Sequence, residues 1–487
     1  MQPPSRCAGR AARGRRLAPV LGGLCLVQTL AACFLGSERP DVALDIPDRY
    51  RAAPRRPDAA LPALDWWRSF RSRELTALIE QAQAENLDVA AAVARIIQAD
   101  AQVRIAGAPL LPVADLEGSA TRSRTARASA SSTAARGSPV SSLYNTNLAA
   151  SYEIDFWGKN RAALLASEQT AIATRFDREV VTLGTIAAVA TTFIQVLAAQ
   201  DRLRIARENL AAASRILMLV RERFAAGTAS RLDIAQQESV VATQRAAIPP
   251  LEVTLRQSIA ALAVLVGRAP AHFAVRGGGM AMVRVPRVTP GLPSDILNQR
   301  PDVREAEAQL AAANHSVEAA RAAFFPSIQL TGQTGYQSAA LSALFGPGAW
   351  YYTMAASLAQ PVFDGYLRLG QLQLQRGRQQ ELVQLYRKAV LSAFSDVEQA
   401  LIAVEQQTVR ERLQGDVVRA ARQAFDLSEQ RLQEGTVDLV TVLTTQQTLF
   451  QAQDVLAQVR LARLLAVVSL VQALGGGWPP LLGDKPT

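Results

Sequence analysis

The chain contains very little cysteine, and all of it lies near the start. Its 487 residues include three cysteines, at positions 7, 25 and 33. If the chain is cleaved just before Cys33, the remaining protein has no other thiol. Disulfide bonds within the chain and cysteine-based catalysis are then excluded.

Residues that carry catalysis or hold metals are also scarce. The two histidines, His272 and His315, are 43 positions apart and do not have the spacing of metal ligands. The sequence has neither a nucleophile elbow nor a phosphate-binding loop, and the glycines at 277–279 lack the preceding strand of a nucleotide site. We therefore expect no enzyme activity, no metal and no cofactor.

The positive charge does not indicate a nucleic-acid partner. Five arginines before residue 33, with no acids among them, supply half of the net charge of +10, so removal of that segment leaves about +5. The remaining arginines are scattered among acids at helical spacing, which is typical of solvated helix faces. A nucleic-acid site would instead show clustered basic residues.

The first 32 residues have the pattern of a secretory signal. A basic stretch is followed by an apolar run over 17–30 and then by Leu30-Ala31-Ala32-Cys33. This ending resembles the lipobox of bacterial lipoproteins, which predicts covalent lipid (diacylglycerol and N-acyl) on Cys33. An ordinary signal peptide with an incidental cysteine is the alternative. Phe34, in place of aspartate, indicates sorting to the outer membrane.

The sequence contains an internal duplication. Residues 86–118 match 300–332 without a gap, and Pro112 aligns with Pro326 (326 − 112 = 214). Further along, Gly227 aligns with Gly435 (435 − 227 = 208). Such self-similarity predicts that one structural unit occurs twice.

The duplication defines the expected organisation of the chain. A signal peptide at 1–32 and a lipid-anchored arm at 33–73 precede the first repeat, 74–285. The second repeat covers 286–478, and a short tail follows at 479–487.

Each repeat contains two segments in which apolar and polar residues alternate. Ala114 and Leu116, for example, alternate with Asp115 and Glu117. Length and one-sided hydrophobicity favour transmembrane strands, with a half-buried soluble sheet as the alternative. The four predicted strands cover about 113–124, 143–156, 327–338 and 350–361. Because four strands cannot close a barrel around a pore, the membrane interpretation requires an oligomer.

Very long helices follow the strands. No proline occurs between Gly158 and Gly227, and 70 helical residues would extend roughly 105 Å. The predicted long helices cover 158–227, 231–266, 365–434 and 438–474, with one short break at Pro249-Pro250. Residues 180–200 lack charge and could span a bilayer, but their threonines and glutamines favour a packed helix.

Six stretches, taken in order, resemble the TolC-like outer-membrane factors, in the lipoprotein branch that serves RND-type drug efflux pumps. They are Trp66-Trp67-Arg68-Ser69-Phe70, residues 152–159 (YEIDFWGK), Arg300-Pro301-Asp302-Val303, residues 322–327 (AAFFPS), Pro361-Val362-Phe363-Asp364-Gly365 and residues 474–478 (LGGGW).

The resemblance implies a fold and a function. The fold is α plus transmembrane β: an internally duplicated protomer of a trimeric 12-stranded outer-membrane barrel, with four strands per chain, continued by a long α-helical periplasmic barrel. The implied function is a passive, gated conduit for drugs or other small toxic solutes. Its partners would be two further copies, outer-membrane lipid, a periplasmic adaptor and an inner-membrane RND pump.

The resemblance also implies site residues where the helices turn. The helix tips expected to contact the adaptor are at Gly227, Thr228, Gly435 and Thr436. Relatives commonly read Leu-Asp-Ala-Gln-Arg where this chain has residues 443–447, LTTQQ. The expected gate residues are therefore Val440 as an apolar constriction, the uncharged Thr444 and Gln447, and Asp233 in the first copy.

Two other functions are compatible with parts of the sequence. An exit duct for type I protein secretion or metal export has the same architecture with different cargo. A periplasmic helical scaffold belongs to another class, but it would not account for the four alternating strands.

Overall fold

The computed structural model describes residues 40–44, 50–51, 63–124, 140–286, 288, 293–476 and 478. Cys33, the predicted signal peptide and the predicted tail lie outside these residues. The described elements, in chain order, are α1 (Arg73–Glu85), α2 (Leu87–Gly107), β1 (Val113–Arg124), β2 (Val140–Ile154), α3 (Lys159–Ala225), α4 (Arg231–Ala246), α5 (Ile248–Leu265), α6 (Pro293–Gln299), α7 (Pro301–Ala322), β3 (Ser327–Ser338), β4 (Trp350–Ala359), α8 (Leu367–Gln433) and α9 (Leu439–Ala473).

The two copies form matching elements. The long helices α3 and α8 each contain 67 residues, and β1 and β3 each contain 12. The helices before these strands, α2 and α7, have 21 and 22 residues. Corresponding helices and strands of the two copies thus have nearly the same lengths.

One predicted helix is divided. The segment 231–266, in which the sequence predicts a short break at Pro249-Pro250, forms α4 and α5, and the two helices separate slightly earlier, at Ala247. Pro249 and Pro250 stand in the first turn of α5, where their missing N–H groups cost no helical hydrogen bond. The second copy has no proline there, and α9 runs without a break through 35 residues.

The chain forms two compact units, and neither coincides with one repeat. The first unit is built from the described residues within 100–170 and 310–383, and the second from those within 42–99, 171–309 and 384–476. Each unit therefore takes segments from both copies. The repeats are therefore units of the sequence, whereas each compact unit of the structure combines parts of both repeats.

The first unit contains one antiparallel sheet in the order β1-β2-β3-β4. Its central pair aligns Leu148 with Thr334 and Ile154 with Ile328. Both outer pairs are also antiparallel, with Leu116 opposite Leu148 and Leu330 opposite Ala356. Strands of the two copies thus lie side by side at β2 and β3.

The second unit has an apolar core made by the middle of the long helices. Its fully buried members include Phe70, Ile79, Phe193, Ile194, Leu262 and Val468. The Trp66–Phe70 segment forms a short 3-10 helix, and both tryptophans pack into this core. This family stretch therefore has a structural role.

Two described helical segments are long and apolar enough to cross a membrane. They lie within 159–225 and 231–265, and half of the most apolar window of the first is buried inside the protein. Phe193, Ile194 and Leu197 of that helix are almost completely covered by other side chains. The packing favours a core helix at 180–200, which is the interpretation that its threonines and glutamines predicted.

Candidate functional site

The sheet separates apolar side chains from polar ones. Because neighbouring side chains on one face align across strands, the register places Leu116, Leu148, Thr334 and Tyr352 in one row. Further rows of this face hold Ala114, Ala150, Met354, Leu330, Ile154, Ile328 and Leu358. This face is mainly apolar across all four strands, and Thr146 and Thr334 are among its few polar members.

The opposite face is polar. One of its rows contains Glu117, Asn147 and Tyr351, and the next contains Asp115 and Gln333. Tyr351 donates a hydrogen bond from its hydroxyl to Asn145 Oδ1 at 3.1 Å across the sheet. A sheet with one apolar and one polar face has the pattern of a barrel wall between lipid and a water-filled lumen.

The apolar face is not covered by any other part of the described chain. Leu116 is 80% exposed, Met354 is 83% exposed and Leu358 is 69% exposed. A soluble half-buried sheet would bury these side chains against a helix or a second sheet. The exposure therefore favours the transmembrane interpretation over the soluble alternative.

Aromatic side chains gather at one end of the strands. Trp350 and Tyr352 have ring centroids 5.5 Å apart, and Tyr336 contacts Phe345 edge to face at 5.3 Å. Trp350 also donates from Nε1 to the hydroxyl of Thr334. Aromatic side chains with polar tips are enriched where a barrel meets the membrane interface.

A second aromatic cluster lies where the strands join the helices. Trp157 stacks on Phe325 at 4.6 Å with an angle of 20° between the ring planes. Trp157 Nε1 donates to the carbonyl of Pro326 at 2.8 Å, which ties the first junction to the second. The two family stretches at 152–159 and 322–327 thus contact each other directly.

The predicted helix tips have the same backbone geometry in both copies. Gly227 has φ +77° and Gly435 has φ +74°, in the left-handed region that strongly favours glycine. Thr228 N donates to Arg223 O at 2.8 Å, and Thr436 N donates to Arg431 O at 2.9 Å. These bonds end α3 and α8 with the C-terminal motif in which a left-handed glycine closes the last turn.

The two tips lie next to each other. The guanidinium of Arg223, in the last turn of α3, donates to the carbonyl of Leu432 at the end of α8. Sequence reasoning missed this bond, because nothing in the pattern shows that the two turns are adjacent.

The helices that follow the tips begin with side-chain caps. Ser230 Oγ accepts from Asp233 N at 3.2 Å, and Asp233 Oδ2 accepts in return from Ser230 N at 2.7 Å. The carboxylate of Asp233, expected near the gate, is thus engaged in a capping box. The serine followed three residues later by an acid was a sequence signal for this role.

The second copy is capped by Asp438. Its carboxylate accepts from Thr441 N at 3.0 Å and from the Thr441 hydroxyl at 2.6 Å. These bonds stabilise the charged form and lower the pKa of Asp438 below its ordinary value.

The other predicted gate residues share one face of α9. Val440 is 54% exposed, and Thr444 and Gln447 follow it at spacings of four and three residues. The hydroxyl of Thr444 donates to the carbonyl of Val440 at 2.9 Å, within the helix. Val440, Thr444 and Gln447 therefore present an uncharged surface one turn above the tip.

A half-buried ionisable group lies on α7, away from the tips. Burial, together with the nearby carboxylates of Asp177 and Asp302, raises the pKa of Glu305 to about 7. Asp177 is itself paired with Arg95 at 2.6 Å, and Asp302 is paired with Arg300 at 2.7 Å. The side chain of Arg300 also binds Asp396 at 2.9 Å, which is the structural role of the arginine in the 300–303 stretch.

No metal-binding cluster of three or more histidine, cysteine or acidic side chains occurs in the described part of the chain. His315 contacts Glu318 at 2.9 Å as an i, i+3 pair on α7.

The sheet has one apolar and one polar face, and the long helices end in two adjacent tips. These features define the class of the protein: a protomer of an outer-membrane channel. The family model described as outer membrane efflux protein matches residues 78–268 and 292–476. The chain belongs to this family. The resemblance stated from the sequence is confirmed, as are the efflux-channel function and the outer-membrane location with its periplasmic helical tunnel.

Curated relatives agree with the family. The pyoverdine export outer membrane protein OpmQ of Pseudomonas putida is 39% identical over 95% of this chain and 98% of its own. OpmQ of Pseudomonas aeruginosa is 40% identical over 93% and 95% of the two chains. The outer membrane protein OprJ of Pseudomonas aeruginosa is 30% identical over 94% and 96%.

Solved structures agree with the fold. The open-state Neisseria gonorrhoeae MtrE outer membrane channel has a TM-score of 0.81 and 28% identity, covering 91% of this chain and 97% of that one. The outer-membrane channel OprN has a TM-score of 0.85 at 24% identity, covering 91% and 99%. The predicted fold class is therefore confirmed.

Proposed function

We propose that three copies of this chain close a single barrel of 3 × 4 = 12 strands. The proposal is supported by the sheet itself, because β1 and β4 each have one edge with no strand partner among the described residues. Unpaired edges at membrane depth leave backbone polar groups without hydrogen bonds, and pairing β4 of one copy with β1 of the next removes both edges.

The barrel and the helices would form one passive conduit with no catalytic activity. The observation that carries this proposal is the division of the sheet into an exposed apolar face and a polar face. The polar face lines the path of the solute, and the energy for export comes from an inner-membrane RND pump. Asp115 and Glu117 give this part of the path some negative charge.

The pump would be reached through a periplasmic adaptor that contacts the helix tips. Gly227, Thr228, Gly435 and Thr436 form two closely similar turns, so one type of adaptor tip can bind to both. In a trimer, two such turns per chain give six near-equivalent contacts. A hexameric adaptor matches this number.

The chain would be anchored by lipid on Cys33, with the signal peptide removed. Mass spectrometry of the purified protein tests this directly. A mature N-terminus carrying diacylglycerol and an N-acyl chain supports the anchor, and an unmodified Cys33 contradicts it.

The cargo we propose is small solutes. Relatives at 39 and 40% identity are named for pyoverdine export, and others at 33% are named for toluene efflux. Deletion of the gene, followed by growth with drugs, detergents, toluene and metals, identifies the class. A deletion that impairs only the secretion of a protein, or only metal tolerance, would favour the alternative ducts.

Topology in intact cells tests the conduit against a periplasmic scaffold. Ser342→Cys lies between β3 and β4 in the short helix Leu341–Ala343, on the predicted outer side. We expect a membrane-impermeant maleimide to label this cysteine in intact cells. The matched control, Thr436→Cys at a helix tip, should be labelled only after lysis. Labelling of both or neither in intact cells would contradict the proposed topology.

A further inference from the structure

A concave groove lies on the second unit, just above the helix tips. It has a volume of about 980 Å³ and is bounded by α3, by α4 with the start of α5, and by α9. Sites that hold small organic molecules have volumes of roughly 300–1,000 Å³. The groove is therefore large enough for a solute and not only for ordered water.

The groove carries no net formal charge. Among the described residues that line it, the charged members are Arg202 and Asp454, which form two hydrogen bonds, Nε to Oδ1 at 2.7 Å and Nη2 to Oδ2 at 3.1 Å. Each charge is thus neutralised by the other. An ionic solute would find no unpaired counter-charge here, which disfavours ions relative to neutral molecules.

Unused amide groups line the same groove. The side chains of Gln236, Gln244, Gln447 and Gln451 make no hydrogen bond to any described residue. Asn209 is only 6% exposed and also lacks a side-chain partner in the described chain. Buried amides such as Asn209 are normally hydrogen-bonded, and the four glutamines are half-buried or exposed, so all of these donors and acceptors are open to an occupant.

Apolar side chains complete the lining. Leu443 and Phe450 from α9 and Val240 from α4 are among its lining residues. An occupant that satisfies the whole surface therefore needs both apolar parts and several hydrogen-bonding groups, as small-molecule sites usually require.

The groove lies on the helix faces that carry the predicted gate residues. On α9, Val440, Thr444, Gln447, Gln451 and Asp454 follow one another at spacings of four, three, four and three residues. Side chains at these spacings share one face of a helix. A solute that passes along the α9 face with the predicted gate residues therefore also reaches the groove.

Helix α4 also carries its predicted gate residue and its groove-lining residues on one face. Asp233 is followed at spacings of three, four and three by Gln236, Val240 and Thr243, which line the groove. Both walls thus continue the faces of the predicted gate.

We propose that this groove is a transient binding site for uncharged, amphiphilic solutes that carry several amide or hydroxyl groups. Solutes of this class would bind above the gate while they pass through the duct. The inference depends on the conduit proposed above, because only a groove that faces the solute path meets the solute.

Calorimetric titration of the full-length trimer in detergent tests the site. The probe is a capped, uncharged hexapeptide of serine, leucine and glutamine, compared with an analogue in which glutamate replaces glutamine. We expect saturable binding of the neutral peptide and weaker binding of the anionic one. The double variant Gln244→Met/Gln451→Met keeps side-chain volume but removes two amides, and should weaken binding about tenfold or more.

Two further variants make the result specific. Gln406→Met changes an exposed glutamine of α8 outside the groove and should leave binding unchanged. Asp454→Asn leaves Arg202 without its counter-charge, so the anionic peptide should then bind more tightly than the neutral one. Absence of saturable binding, equal affinity of the double variant and the wild type, or an unchanged charge preference in Asp454→Asn would each overturn the proposal.

Channel recordings on the same preparation separate this inference from the conduit itself. Discrete ionic conductance without peptide binding would refute the groove site and leave the conduit intact. Absence of any conductance would refute the conduit first.

Discussion

Ser230 and Asp438 occupy the same position in the two copies (438 − 230 = 208), and each caps the helix that follows a tip. One uses a hydroxyl and the other a carboxylate, yet both accept from the backbone N–H three residues later. The caps fix where α4 and α9 begin, and thereby which residues face the predicted gate.

Removal of either cap should loosen its tip. We expect Ser230→Ala and Asp438→Ala each to cost about 1 kcal/mol of local stability, since an N-cap side chain satisfies an otherwise free N–H. Hydrogen exchange should accelerate several-fold at the amides of Asp233 and Thr441, respectively. Thr254→Ala, at an exposed position inside α5, is the control and should leave both tips unchanged.

The gate should respond weakly to salt. The predicted gate face of α9 carries no charge at Val440, Thr444 or Gln447, so screening has no ion pair to weaken there. We expect the open probability of single channels to change little between low and high ionic strength. The double variant Thr444→Asp/Gln447→Arg should make opening rise with salt; a steep salt dependence in the wild type would contradict the account.

The sequence predicted the fold better than it predicted the contacts. Strands and long helices follow from alternation and from the absence of proline, and β1 and β3 have the predicted bounds. Arg223 on Leu432 and Arg202 on Asp454 join residues more than 200 positions apart. Side-chain periodicity within one helix contains no information on which face meets which neighbour, so these contacts needed the structure.

Asp233 shows the same limit at the site. Its place near the tip made it a gate candidate, whereas its carboxylate accepts from the backbone of Ser230. Its charge and its position indicated a gate residue. The serine three residues earlier fits a capping box equally well, so the sequence alone did not decide between the two roles.

Glu305 should make the second unit less stable as pH rises. Its pKa is raised to about 7 from 4.5, so the folded protein retains a proton there that the unfolded chain loses. Stability therefore falls between about pH 4.5 and 7. We expect Glu305→Gln to match the wild type near pH 4 and to exceed it by about 1–2 kcal/mol at pH 8, after allowance for solvent screening. Thermal unfolding midpoints at both pH values measure this, and a variant that is equally stable or less stable at pH 8 would contradict it.

Gly277 should not tolerate a side chain. Its φ of +67° strains any residue with a side chain, and an added Cβ would displace the amide of Gln200, whose oxygen accepts from Gly278 N at 3.1 Å. We expect Gly277→Ala to destabilise the protein by roughly 1–3 kcal/mol. Gly184→Ala, inside α3 with open space around it, should instead be neutral or stabilising by about 0.5–1 kcal/mol. Equal melting temperatures for the two variants would refute this explanation of the glycine loop.

Trp157 should stabilise the strand–helix junctions through both its ring and its N–H. Trp157→Phe keeps a ring to stack on Phe325 but cannot donate to Pro326, and we expect a loss of about 1 kcal/mol. Trp157→Ala removes both contacts and should cost more, about 2–3 kcal/mol, since the ring is partly buried. The measurement is the temperature at which trimers dissociate in detergent. This temperature should be highest for the wild type, lower for Trp157→Phe and lowest for Trp157→Ala.

Single-channel recording of the purified full-length protein in planar bilayers shows whether the protein is a gated conduit. We expect discrete conductance steps with long closures for the wild type, and a higher open probability for Val440→Gly, which removes the apolar side chain at the predicted constriction. A folded, heat-resistant trimer that gives no conductance step, with or without Val440→Gly, would contradict the claim that this protein is a gated outer-membrane conduit.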